Sequence, residues 1–447
     1  MKDNIQLSDH FTTGRLLRFV FPSILMTIFL SIYTIIDGIF VSNFAGKNAF
    51  TAINLIWPYV QMIASIGFMI GSGGSALVAQ DLGRGETEAA KSRFTFLILT
   101  TFVISAVFAA IGFVSVGTIS ELAKAEGEVY DNCIIYGRIL FAMVPFYTLQ
   151  YVFQNFFVTA GKPKLGLYVT VFAGVLNMIG DYLFIAKGKM GVAGAGLATA
   201  SSQFVGALIP VVYFSIDNDS TLRFGKIKAE WDFLKRTCMN GISELFSNIA
   251  LSLVSIVYNF QLMKLIGENG VDAYGVNAYV SYVFVACFLG YSSGSGPITA
   301  FHYGAQNIEE IQNILYKSMR IILTGSILMT LISSAFAREL ARIFVSYDAE
   351  LLQMTARFLR IYSFYYLCCG YSIYLSMFFT SLGNGPVSAV ISFCRLFVFE
   401  VLMVLILPLF FGVDGIWYAP VAGSILSATL SFTILARQNK NYHYLRG

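Results

Sequence analysis

Twelve apolar runs, each longer than the ~20 residues an α-helix needs to cross a bilayer, leave little room for any other architecture. They cover 16–41, 51–79, 94–118, 133–159, 165–187 and 192–214, then 237–262, 273–301, 314–345, 355–380, 387–411 and 414–436. In hydrocarbon the backbone must satisfy its own polar groups, so only helices or a closed barrel can span, and these runs are too long for barrel strands. The chain reads as an all-α integral membrane protein. Composition agrees: 57% of residues are apolar and 12% charged, with a mean hydropathy of +0.70, against roughly 25% charged in soluble domains. The net charge of +4 is spread over short loops and offers no nucleic-acid surface. Cys133, Cys238, Cys287, Cys368, Cys369 and Cys394 lie in or beside the spans without metal-ligand spacing and read as small packing residues. Lys2, Arg15 and Arg18 precede a first run too long for a signal-peptide core, so it stays as a membrane helix.

Charge sets the expected orientation. With the N-terminus in the cytoplasm, 18 of the 29 Lys and Arg residues fall inside and 10 outside, with Arg395 in a span. The acidic cluster Glu121, Glu126, Glu128 and Asp131 falls outside. Both termini are therefore expected in the cytoplasm. The widest polar gap holds Arg223, Lys226, Lys228, Lys235 and Arg236. It divides the chain into an N-terminal lobe (1–216), a cytoplasmic linker (217–236) and a C-terminal lobe (237–447).

The halves repeat. Ser72-Gly-Gly-Ser75 with Gly83 and Glu88 recurs as Ser293-Gly-Ser-Gly296 with Gly304 and Glu309. Gly161-Lys-Pro163 recurs as Gly383-Asn-Gly-Pro386, and Gly191-Val-Ala-Gly194 as Gly412-Val-Asp-Gly415, all offset by 221 to 223 residues. Six spans per repeat is an even number, so both lobes insert the same way round. They are expected to be related by a pseudo-twofold along the membrane normal, with a cavity between them.

Asp37 lies inside the first run, where a carboxylate costs roughly 2.5–3.5 kcal/mol on insertion scales. It either binds a coupling ion or lies shallow enough to be hydrated at the helix end. On this orientation Asn177 and Asp181 of the fifth span and Thr199 of the sixth share its depth. Asn177 and Asp181, spaced i, i+4, share a face. Two close carboxylates hold one proton between them, and a cation or proton relieves their repulsion. The competing reading pairs Asp181 with Lys187 at the outer surface.

These residues carry a resemblance to the multidrug and toxic compound extrusion (MATE) family over essentially all twelve spans. The matching pieces are Ile36-Asp-Gly-Ile-Phe-Val41, Gly161-Lys-Pro-Lys164, Leu176-Asn-Met-Ile-Gly-Asp181 and Gly191-Val-Ala-Gly-Ala-Gly-Leu-Ala-Thr199. The resemblance implies a V-shaped pair of six-helix lobes and a cation-coupled antiporter. It implies an ion site, Na⁺ or H⁺, at the positions of Asp37, Asn177, Asp181 and Thr199, and a hinge at Pro22. Gln154 stands where members commonly have an asparagine, as one further ligand position, and Val158 where they have an arginine. Members that couple through the C-lobe carry a carboxylate in the tenth span. Phe358 to Thr380 holds none, which points to the branch that couples through the N-lobe.

In the second half Glu244 and Arg395 lie at similar depth, as a buried structural pair or as substrate contacts. Glu400, five residues past Arg395 and off its α-helical face, could line the cavity. Phe141, Phe146, Tyr147, Tyr151 and Phe153, and in the tenth span Tyr362, Phe364, Tyr365 and Tyr366, offer faces for organic cations, though most such rings pack or face lipid. Met26, Leu30, Tyr33 and Asp37 form one stripe, which makes Met26 and Tyr33 cavity candidates.

An ATP-driven pump is excluded by the lack of any Gly-x₄-Gly-Lys-Ser/Thr stretch or nucleotide-sized soluble domain. His10, His302 and His443 belong to no catalytic motif, so no enzyme is expected. A major-facilitator layout leaves the fifth-span motif unexplained. The expected function is multidrug efflux of lipophilic, often cationic compounds in exchange for Na⁺ or H⁺. It needs no cofactor, works as a monomer and sits in the cell membrane. The alternative is a lipid-linked oligosaccharide flippase, which needs a more cationic cavity.

Overall fold

The computed structural model describes residues 5–445, and among them there are helices and turns but no strand. The first half comprises α1 (Thr13–Phe40), α2 (Lys47–Gly83), α3 (Thr87–Leu122), α4 (Gly127–Thr159), α5 (Pro163–Gly180) and α6 (Gly191–Ser215). The second comprises α7 (Trp231–Leu265), α8 (Glu268–Gly304), α9 (Ile308–Ala335), α10 (Ala337–Val345), α11 (Ala349–Tyr362), α12 (Tyr366–Ser381), α13 (Gly385–Phe393), α14 (Phe399–Phe411) and α15 (Val413–Tyr442). Wider π-helical turns prolong α1 over Val41–Ala45 and α5 over Asp181–Lys187, and join α13 to α14 over Cys394–Val398.

Helix ends follow local chemistry. Thr12 caps α1 by accepting from the Arg15 N–H at 3.3 Å, and Asn384 caps α13 through the Val387 N–H. The repeated turns before α5 and α13 use Gly161 and Gly383 at φ +71° and +78°. Pro163 and Pro386 then open the helices, where a missing N–H costs nothing. α1 runs unbroken through the buried Pro22.

Among the described residues, eleven helical segments are long and apolar enough to span; the twelfth crossing is composite. It consists of α11 and α12 joined by a 3₁₀ turn at Ser363–Tyr365, whose Ser363 carbonyl accepts from the Thr330 hydroxyl at 3.0 Å. The expected single span over 314–345 does not form. α9 ends at Ala335, and α10 buries Ala337, Ala341 and Val345 while exposing Arg338, Glu339 and Arg342. Three charges in nine residues suit a helix lying in the interface rather than crossing it. Elsewhere long apolar side chains such as Val114 and Leu409 stand exposed, as a lipid-facing surface requires.

Aromatic and aliphatic clusters fill both halves, one of them joining the start of α1 to the second half, and small residues let the halves approach closely. A Cβ on Gly83 would strike the Phe301 carbonyl, and one on Gly304 the Gln80 carbonyl. Both members of the first contact recur in the second at an offset of 221, the signature of a twofold. Likewise Gly73 lies against Gly241 of α7, and Gly294 against Val20 of α1. The repeated glycines are thus the sites where the halves cross. Asn240 adds donors to the Gly73 and Thr380 carbonyls at 3.1 and 3.0 Å. Thr27 donates to the Ala286 carbonyl at 2.7 Å.

The face that carries both termini is also tied by charge. Asp81, buried at the end of α2, pairs with Arg84 at 3.0 Å and with Arg93 of α3 at 2.9 Å. Arg93 continues to Glu230, the residue before α7, at 3.0 Å. The segment before α1 docks on α9. Phe11 donates its N–H to Glu310 at 2.8 Å, and its carbonyl accepts from Asn313 and Lys317. Leu7, Phe11, Leu16, Phe19 and Val20 are part of the second half's core.

Candidate ion-coupling site

α5 lies between α1 and α6 because glycines let it. Gly174 receives the Phe29 ring of α1, and Gly180 packs on Ala198 of α6. These contacts bring the end of α5 against the far part of α1, about 36 Å along its axis from Thr13 at 1.5 Å per residue. Asp37, Asn177 and Asp181 meet there. Asp181 is fully buried, Asn177 is 2% exposed and Asp37 half-buried. The two carboxylates stand close enough to interact as charges.

What distinguishes the cluster is unmet demand. Asp37 Oδ1, Asn177 Oδ1 and both carboxylate oxygens of Asp181 are buried without a hydrogen-bond partner in the protein. Buried polar atoms are nearly always paired, and two facing carboxylates repel, so four orphaned oxygens are chemically suited to a proton or hard cation. An all-oxygen donor set suits such an ion and not a soft transition metal. No ion pair joins Asp181 to Lys187, and the surface-pair reading fails on burial. Thr199 follows Ala198, which puts its residue beside the α5 crossing, half-buried. Gln154 is elsewhere. Its amide donates to the Thr170 hydroxyl at 3.2 Å, seven residues or about 10 Å before Asn177 on α5.

Tyrosines wall the site. Tyr33, on the α1 stripe, and Tyr136 of α4 both lie within electrostatic reach of the two carboxylates. Tyr147 donates to Gln61 at 2.8 Å, and the Tyr151 hydroxyl lies 3.3 Å from its oxygen. Met26 is buried, so Tyr33 is the more accessible of the two cavity candidates. Sequence reasoning missed Tyr136 and Gln61. The available signal was spacing: 136, 147 and 151 fall on one face of a helix at eleven and four residues.

A second polar cluster occupies the other half. The Tyr258 hydroxyl donates to Glu400 at 2.8 Å, and Arg395 lies within electrostatic reach of Glu400, Glu244 and Tyr365. Of the two readings of Glu244 and Arg395, structural pair or substrate contact, the pair does not form within 4 Å, and Arg395 Nε is buried without an acceptor. Glu400 also differs from expectation. The Phe399 N–H reaches back five residues to the Cys394 carbonyl. In that wider turn residues five apart share a face, which puts Arg395 and Glu400 on the same side. Phe141, Phe146 and Phe153 of α4 pack in the first half's core, and Tyr362, Tyr365 and Tyr366 in the second's, while Phe364 is exposed.

Comparison with known proteins gives consistent findings. The MatE family model matches twice, over residues 22–183 and 245–406. The multidrug export protein MepA of Staphylococcus saprophyticus is 21% identical over 422 residues, covering 94% of this chain and 91% of that protein. The probable multidrug resistance protein YoeA of Bacillus subtilis is 25% identical over 431 residues, covering 93% and 91%. A crystal structure of MATE in complex with MaL6 shares the fold at a TM-score of 0.93 and 20% identity, covering 99% of this chain and all of that one. An outward-facing MATE family multidrug resistance transporter of the MOP superfamily aligns at 0.92 and 21%, covering 99% of each chain.

Proposed function

The chain belongs to the MatE family, whose members are transporters and not enzymes, and on that premise we propose that it exports lipophilic, often cationic compounds in exchange for Na⁺ or H⁺. The observation that carries the reading is the set of orphaned oxygens on Asp37, Asn177 and Asp181. A bound ion satisfies them and removes the repulsion between the carboxylates. Asp37 and Asp181 supply the charge, Asn177 a neutral oxygen, and Thr199 a hydroxyl at the same crossing. Gln154 then acts on α5 through Thr170 rather than as a ligand.

The route from ion to gate runs along α1. One end carries Asp37; the other lies in the second half's core, crossing α8 through Thr27 and Val20. Drawing Asp37 toward Asp181 pulls on that crossing, and Pro22, which lacks a backbone donor, is where the helix gives. Exchange follows if ion and drug prefer different states. In the orientation with both termini in the cytoplasm, the Gly83–Phe301 and Gly304–Gln80 contacts close the inner side. The cavity between the lobes needs one chain, so a monomer suffices. The flippase reading has less support, since Arg395, a mid-span cation, lies within electrostatic reach of two carboxyl groups, Glu244 and Glu400.

The test is transport in proteoliposomes with a Na⁺ or H⁺ gradient imposed separately, following ethidium for wild type and Asp37→Asn. Movement driven by one gradient and lost in the variant is the expected result and names the ion. Uphill movement retained by Asp37→Asn at normal expression overturns the coupling role.

A further inference from the structure

The second half repeats the first, yet its polar cluster has a different charge pattern. The family model matches each half once, over residues 22–183 and 245–406. Where the first half places two carboxylates and an amide, the second places Glu400, Glu244 and Arg395. Two carboxyl groups face one guanidinium, and neither closes on it as an ion pair.

Arg395 is 8% exposed, its Nε lacks an acceptor, and neither carboxylate comes within 4 Å of it. A guanidinium so deep in a membrane protein is normally paired. Glu400 is 9% exposed with one oxygen held by Tyr258. Glu244 is half-buried and its carboxylate has no ion-pair partner among the described residues. Tyr258 and Tyr274 stack at 4.8 Å between centroids, and Tyr274 and Tyr362 both lie within electrostatic reach of Glu400. A ligand with only a positive charge would meet Arg395 and leave its Nε unsatisfied. One with only a negative charge would meet two carboxylates. A compound carrying both satisfies every group.

We propose that Arg395, Glu400 and Glu244 form a second ligand site, separate from the ion site, that takes amphoteric organic compounds. An acidic group of the ligand accepts from Arg395, and its charged nitrogen donates to Glu400 and Glu244. The tyrosine rings supply flat apolar walls. The proposal rests on the efflux reading and specifies its substrate class. It also places drug and ion in different halves, so that they influence each other through the lobes and not by direct competition.

The test uses two fluorescent dyes of one skeleton, rhodamine 110, which carries a free carboxylate, and rhodamine 123, its methyl ester. Binding to purified protein in detergent is followed by polarisation. Wild type is expected to bind rhodamine 110 about tenfold or more tightly than rhodamine 123, as a charge-assisted contact should give. Arg395→Gln should bring the ratio to about one or below, weakening rhodamine 110 while rhodamine 123, freed of a like charge, binds no less tightly. Arg395→Lys, which keeps the charge, should retain part of the preference, and Glu400→Gln should weaken both dyes. A wild-type ratio of about one overturns the site without recourse to any variant. Equal weakening of both dyes by Arg395→Gln overturns it too, as a merely structural arginine would behave so. Asp37→Asn should keep the dye ratio and lose gradient-driven transport, which separates failure of this site from failure of ion coupling.

Discussion

Gly83 of α2 rests directly on the backbone carbonyl of Phe301 in α8, with no room for a Cβ between them. Carbonyl and helix backbone cannot rotate away as a side chain can. Gly83→Val should therefore force the two halves apart at this end and cost ~1–3 kcal/mol, as overpacking does. Thermal unfolding in detergent should show the loss. Labelling of a cysteine placed at Ala305 should speed up, and an unchanged labelling rate would argue that the crossing is looser than drawn.

Asp181 is expected to trade stability for function. Replacing it by Asn gives Asp37 an amide donor and removes the repulsion between two buried carboxylates. Asp181→Asn should raise the melting temperature measured without the coupling ion. The ion-dependent rise expected of wild type, which grows as RT ln(1 + [ion]/Kd), should vanish. A variant that melts lower than wild type and still responds to the ion would contradict both parts.

The buried Asp81 makes Arg93 a structural anchor. Arg93→Ala leaves Asp81, its side chain 2% exposed, with Arg84 as its remaining partner. Arg93 itself is 21% exposed and partly screened, so the expected loss is ~1–3 kcal/mol, below the full cost of breaking a buried pair. Glu230→Gln touches the outer end of the network and should cost less. The comparison is by thermal melting of the two variants.

Tyr258→Phe removes the hydrogen bond to Glu400 with almost no change of shape. The carboxylate loses a donor in a buried setting, which should cost ~1–3 kcal/mol. Restoring neutrality with Glu400→Gln in the same chain should recover part of that loss. A double-mutant cycle on melting midpoints reads the coupling.

Much of this architecture was legible because bilayer crossing imposes length and composition, and because the repeat offset tied glycines to one another. Asp37, Asn177 and Asp181 stood out since carboxylates are costly in an apolar run. The common face of Arg395 and Glu400 was not legible. It depends on a single widened turn after Cys394, and nothing in Cys-Arg-Leu-Phe-Val announces i→i+5 bonding. The split tenth crossing was hidden for a similar reason, since Ser363-Phe-Tyr365 is compatible with a continuous helix. Gln154 was misplaced by its proximity to the family motif, whereas its contact with Thr170 is a matter of helix packing. The end of α9 was readable in hindsight from Arg338, Glu339 and Arg342.

The docking of Phe11 on Glu310 has a consequence for how the chain is made. These partners are 299 residues apart, so the entry of α1 stays uncovered while seven further helices and the linker are synthesised. The first bundle cannot be completed in order of synthesis. Its opening segment waits for α9, which makes a late, long-range closure step the expected slow phase of assembly. A chain truncated before α9 would then expose Leu7, Phe11 and Phe19 together, a natural handle for the machinery that clears unfinished membrane proteins.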